Sequence, residues 1–178
     1  MSARPLHMFF GHQHEVNYRM LSSPDVPAPF PAAPADADKA LPLFLLPAVS
    51  PIYNNNPGFR IVYIDRQSGR LADFEDRFLS VASAGISSFA REYIASTTYG
   101  VTPATGWNAR SLGWAMNTWV GSAPTATGLT SFCTFRLVST SATLGASNCC
   151  QSCAAKQRCV FISPDFSSYR RCLATPSL

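Results

Sequence analysis

The chain has 178 residues, of which 47% are hydrophobic and 13% charged, with a net charge of +4; that length supports one domain with a real core and room for a small appendage. Its basic residues are scattered from Arg4 to Arg171, with no run longer than Arg170-Arg171, which argues against the clustered footprint of a nucleic-acid binder. No apolar stretch reaches transmembrane length, since the richest, Leu41 to Val49, is broken by Pro42 and Pro47.

Leu6 to Phe10 reads as a buried strand and Glu15 to Leu21 as its return partner. Between them lies Gly11-His12-Gln13-His14, which holds two of the three histidines in the chain. A His-x-His step on a strand puts both imidazoles on one face, which suits either a metal pair or a solvated edge. Neutral imidazole is the commonest side-chain metal ligand, and Gly11 suits a tight turn with positive φ. Glu15 is next to the pair, and strand parity points it to the opposite face. His7 is also out of parity with His12 and reads as structural.

Ser22 to Pro42 is rich in proline, alanine and aspartate and is expected to be an exposed, partly disordered insertion. Leu43 to Leu46 resumes as a strand, followed by a loop from Pro47 to Gly58. Phe59 to Asp65 reads as a strand, Arg66 to Arg70 as a hairpin turn, and Leu71 to Val81 as the returning strand, with imperfect alternation. From Ser83 the spacing of Phe89, Tyr93 and Ile94, then of Leu112, Met116 and Val120, is helical. Leu129, Phe132 and Leu137 continue in a third, Ser/Thr-rich helix. Trp107, Trp114 and Trp119 are all expected in the core.

Of six cysteines, Cys149, Cys150, Cys153, Cys159 and Cys172 crowd the C-terminal end, with Cys133 upstream. No histidine lies beyond His14 and no paired C-x-x-C pattern occurs, so disulfides fit better than a zinc module. Disulfides imply an oxidising compartment. The opening residues Met1 to Pro5 carry no hydrophobic signal core, which suggests that Met1 is not the true beginning.

Taken with Gly11-His12-Gln13-His14, the segment Ala48-Val49-Ser50-Pro51 and the turn Asn54-Asn55-Asn56-Pro57-Gly58-Phe59-Arg60 resemble the acid sphingomyelinase-like phosphodiesterases of the calcineurin-like metallophosphoesterase superfamily. Ile61 to Asp65, Gly69, Leu71 and Asp73-Phe74 continue the resemblance, as do Tyr93, Tyr99-Gly100-Val101 and Trp107. It covers nearly the whole chain apart from Ser22 to Pro42, yet it corresponds to the C-terminal end of the family alone. The cysteine spacing resembles the family's two C-terminal disulfides, which implies Cys149–Cys153 and Cys159–Cys172. Cys133 and Cys150 are left over, and their pairing stays open.

The fold implied is α/β, or α+β as a fragment. Residues 1–82 would be the closing strands of a metallophosphoesterase β-sandwich, with 22–42 as the disordered insertion. Residues 83–178 would be a small, helical, disulfide-pinned subdomain. The activity implied is hydrolysis of sphingomyelin or a related phosphodiester with two zinc ions side by side. By resemblance His12 and His14 hold one zinc ion each. The family's other ligands, an Asp-x-His and an Asn-His among them, have no counterpart in this sequence, so no catalytic residue is assigned and the fragment is expected to be inactive alone.

Asn56 and Arg60 are the candidates for substrate contact. Backbone geometry alone also explains the Asn-Pro-Gly turn, and for Arg60 a sheet-surface charge is the favoured reading. The implied partners are a phosphodiester, with a sphingolipid and hence peripheral membrane contact as one case, and no nucleic acid. The implied location is extracellular or lysosomal. Two alternatives stand beside this: a phosphodiesterase acting on nucleotides, and a non-catalytic secreted or surface interaction protein on a relic fold. Exposed strand edges tend to pair with other chains, so the isolated polypeptide is expected to be insoluble or partly unfolded.

Overall fold

Two three-stranded sheets form the β part of the computed structural model, which describes residues 7–12, 14–22, 40–51, 55–81, 88–121, 127–136, 159–160, 163 and 166–174. The first sheet holds β1 (Met8–Phe10), β2 (Asn17–Ser22) and β3 (Ala40–Leu45), in the order β1-β3-β2. The second holds β4 (Gly58–Ile64), β5 (Leu71–Phe78) and β6 (Ala90–Ile94), in sequential antiparallel order. Four helices are described: α1 (Ala95–Tyr99), α2 (Ala109–Gly121), α3 (Thr127–Arg136) and α4 (Phe166–Ala174). The architecture is mixed α/β.

The first sheet differs from the expected hairpin. β1 runs parallel to β3, with Phe9 opposite Phe44, and β2 pairs with the other edge of β3. A parallel pair needs a crossover connection, and β2 with the residues after it supplies one. β1 is therefore an edge strand, and Phe9 and Phe10 are 39% and 43% exposed rather than buried. The expected insertion also ends sooner, because Ala40 to Pro42 already belong to β3; residues 23–39 lie outside the described ones. Pro42 stands one position before β1 pairing begins at Leu43, where β3 is locally an edge and a missing N–H is tolerated.

In the second sheet the hairpin from β4 to β5 is as expected, with Gly69 at positive φ in its turn. Its imperfect alternation has a cause: the register shifts between Tyr63 and Ile64, and again on the β6 side between Asp76 and Arg77. Residues 90–94, expected as helix, form the strand β6, which pairs with β5. β6 follows residue 82 in sequence yet completes the sheet begun by β4.

One apolar cluster joins both sheets and helices α1, α2 and α3, with Val16, Tyr18, Phe44, Phe74, Tyr93, Tyr99, Trp107, Leu112 and Phe132 among its members. Trp107 is fully buried within it, its ring 5.0 Å from Phe74. The Trp107 amide donates to the Leu71 carbonyl at 2.7 Å. That approach depends on Gly106 at φ +65°, where a Cβ would stand 2.7 Å from the same carbonyl oxygen. Trp114 departs from the core expectation at 51% exposed, because α2 buries the face of Leu112, Ala115 and Met116. The side chain of Trp119 lies outside the described residues. Cys159 and Cys172 are bonded, with Cα atoms 5.6 Å apart. Cys133 is also disulfide-bonded; Cys149, Cys150 and Cys153 lie outside the described residues.

Candidate functional site

The His-x-His turn leaves β1 with an unusual backbone. His12 has φ 80° and His14 φ 55°, and among the described residues these two are the non-glycine positions at positive φ. Each such residue costs about 1–2 kcal/mol relative to a right-handed conformation, so the surrounding structure must hold the turn in place. The glycine beside them does not carry the strain: Gly11 is absent from the positive-φ positions and a Cβ there would meet nothing within 4 Å. His12 is exposed and His14 half-buried; Gln13 lies outside the described residues.

The support comes from the Asn-Pro-Gly loop. Asn55, buried at 5% exposure, donates from Nδ2 to the backbone carbonyl of His14, 41 positions away. Around it the loop is tied on both sides. The Gly58 amide donates to Ala48 O at 2.8 Å and the Leu79 amide to Pro57 O at 2.9 Å. The Val81 amide donates to Asn56 Oδ1 at 3.1 Å. Asn56, a sequence candidate for substrate contact, thus caps a backbone group, and Asn55 is the loop residue that meets the histidine turn. Asn54 lies outside the described residues.

Arg60, the second substrate candidate, is neither a surface charge nor exposed. Its guanidinium pairs with the Asp76 carboxylate through Nε at 2.6 Å and Nη2 at 2.7 Å, with side chains 1% and 0% exposed. Asp76 also accepts from Tyr93 Oη at 2.6 Å, and the hydroxyls of Tyr93 and Tyr18 lie 2.9 Å apart. The Arg60 Cζ stands 4.1 Å from the Phe74 ring centroid, a cation–π contact inside the core. Burial pushes the Tyr18 hydroxyl up to about 12, the nearby Arg60 charge opposing it; burial likewise raises Tyr93 and Tyr99.

His7 takes a structural part. Its Nε2 bonds the Trp107 carbonyl at 2.8 Å, and burial lowers its pKa while that bond pulls it back up. Glu15 accepts from Asn17 Nδ2 at 3.0 Å.

The two imidazoles suit zinc by donor chemistry, and the turn that bears them is conformationally set. Catalytic zinc sites take three protein ligands and an open position, and among the described residues no group of three or more His, Cys, Asp or Glu side chains comes together. No protein-family model matches the chain, and none of the curated proteins is significantly similar to it.

Proposed function

We propose that this chain is the C-terminal part of a di-zinc phosphodiesterase of the acid sphingomyelinase-like kind, with sphingomyelin or a related phosphodiester as substrate. The observation that carries the reading is the left-handed backbone at both His12 and His14. Strained non-glycine residues concentrate at functional sites, and here the strain falls on the two imidazole-bearing positions of the motif. In this reading His12 and His14 hold one zinc ion each, and residues from outside this chain complete the first shell. Zinc, when bound, polarises the phosphoryl oxygens and lowers the pKa of the attacking water.

The strands before residue 83 would close a metallophosphoesterase sandwich, with the later helices as its disulfide-pinned subdomain. The Cys159–Cys172 bond supports a secreted or lumenal setting. No helix among the described residues is long and apolar enough to cross a membrane.

The test joins this chain to the polypeptide encoded immediately upstream in the same frame. The fusion is assayed for zinc-dependent hydrolysis of bis(4-nitrophenyl) phosphate and of sphingomyelin. Hydrolysis abolished by His12→Ala and by His14→Ala is the expected result. An upstream frame lacking Asp-x-His and Asn-His, or hydrolysis indifferent to both substitutions, would overturn the proposal.

A further inference from the structure

We infer that Asn55 is a positioning residue for the His12–His14 pair, acting through the backbone of the turn rather than on any ligand; the inference rests on the zinc-binding reading above. A turn with two left-handed histidines does not hold itself, since each residue relaxes toward the right-handed or extended regions unless its neighbours prevent it. The His14 carbonyl is the turn's fixed point. Its orientation follows from φ and ψ around His14, and the Asn55 amide selects the geometry in which that carbonyl is met by a donor.

Asn55 can act this way because it is itself immobilised. The next residue caps Val81, and Pro57 and Gly58 are bonded to Leu79 and Ala48. Two positions beyond Gly58, Arg60 is locked to Asp76 in the core. The loop thus spans from the end of the first sheet to the start of the second, and it transmits the placement of β4 to the histidine turn. The donor is essential to this role. An aspartate in the same position would set a carboxylate oxygen against the carbonyl oxygen, with no proton between them.

The experiment titrates the full 178-residue chain with zinc chloride, following binding by calorimetry and the histidine ring resonances by NMR. Variants are compared well below their thermal transitions. Asn55→Asp is expected to weaken zinc binding by about tenfold or more, as loss of an orienting partner does at metal sites, and to shift the His12 and His14 ring signals. Asn55→Ala serves the same comparison should the aspartate variant fail to fold. Gly106→Ala, strained in the turn before Trp107, is expected to lower the melting temperature while keeping the wild-type zinc affinity.

Wild-type affinity in both Asn55 variants would overturn the inference, as would an equal loss in Gly106→Ala, which would make the effect one of stability. His12→Ala and His14→Ala distinguish this from failure of the underlying reading. If neither lowers zinc affinity, the histidine site itself falls and the inference with it; if both do and the Asn55 variants do not, the inference alone falls.

Discussion

Arg60 and Asp76 stand directly opposite each other in the β4–β5 register and close a two-pronged ion pair inside the core. Tyr93 is directly opposite Asp76 on the next strand, so the three side chains form one row across the sheet, with Tyr18 of the first sheet joined at its end. Cross-strand neighbours on one face are the natural unit of such contacts. Removing one partner leaves the other charge buried without its counter-charge, which costs about 3–5 kcal/mol. Arg60→Met is therefore expected to lower the free energy of unfolding by that amount in urea titrations. The double substitution Arg60→Met with Asp76→Leu should recover most of the loss, because two apolar side chains in place of a buried pair are often neutral. A double variant as unstable as the single one would show that Asp76 works chiefly through Tyr93.

The same row explains where reading the residues alone succeeds and fails. The β4–β5 hairpin was legible because its apolar alternation is local and a glycine turn divides it. α2 was legible because Leu112 and Met116 recur at the helical interval and are both buried. Arg60 was not legible as a core residue, since its partner lies 16 positions on and becomes a neighbour once register is set. Residues 90–94 followed a helical spacing, yet the free edge of β5 and the bond from Tyr93 to Asp76 favour a strand there. Propensity over five residues is too weak to resist that tertiary pull.

At the candidate site the motif residues were legible and their support was not. The pair His12 and His14 stands out by type and spacing, and the Asn-Pro-Gly turn by its chemistry. That Asn55 rather than Asn56 reaches the histidine turn is decided by how β4 enters the second sheet. Gly11 misled for a related reason: a glycine beside a motif signals freedom of φ, whereas the left-handed geometry here falls on the histidines themselves.

The buried tyrosines make stability fall at alkaline pH. Tyr18 keeps its proton in the folded protein to about pH 12, while an unfolded tyrosine releases it near pH 10. Between those values the unfolded state binds fewer protons than the folded one, so stability declines as pH rises through the window. For Tyr18 alone the loss approaches roughly 3 kcal/mol by its upper end, with Tyr93 and Tyr99 shifted in the same direction. Denaturant titrations above neutrality are expected to show this decline, with tyrosinate absorbance delayed and then rising together with unfolding. Tyr18→Phe should flatten the slope. Tyrosinate signal developing in full while the fold stays intact would contradict the burial of all three rings.

The Cys159–Cys172 bond should govern the stability of the C-terminal helix α4. The two cysteines are 13 positions apart, a loop length for which chain-entropy arguments give about 3 kcal/mol of stabilisation. Cys159 is buried, while α4 carries Cys172. The crosslink thus ties a short helix with several polar residues to a buried position. Nine residues are too few for a helix to persist in isolation. The double substitution Cys159→Ser with Cys172→Ser is expected to remove about that 3 kcal/mol, with hydrogen exchange at residues 166–174 rising well before exchange in β4 and β5. Equal acceleration in the helix and the sheet would mean that the bond stabilises the whole fold rather than its tail, and unchanged exchange in both would mean that α4 is held by packing without it.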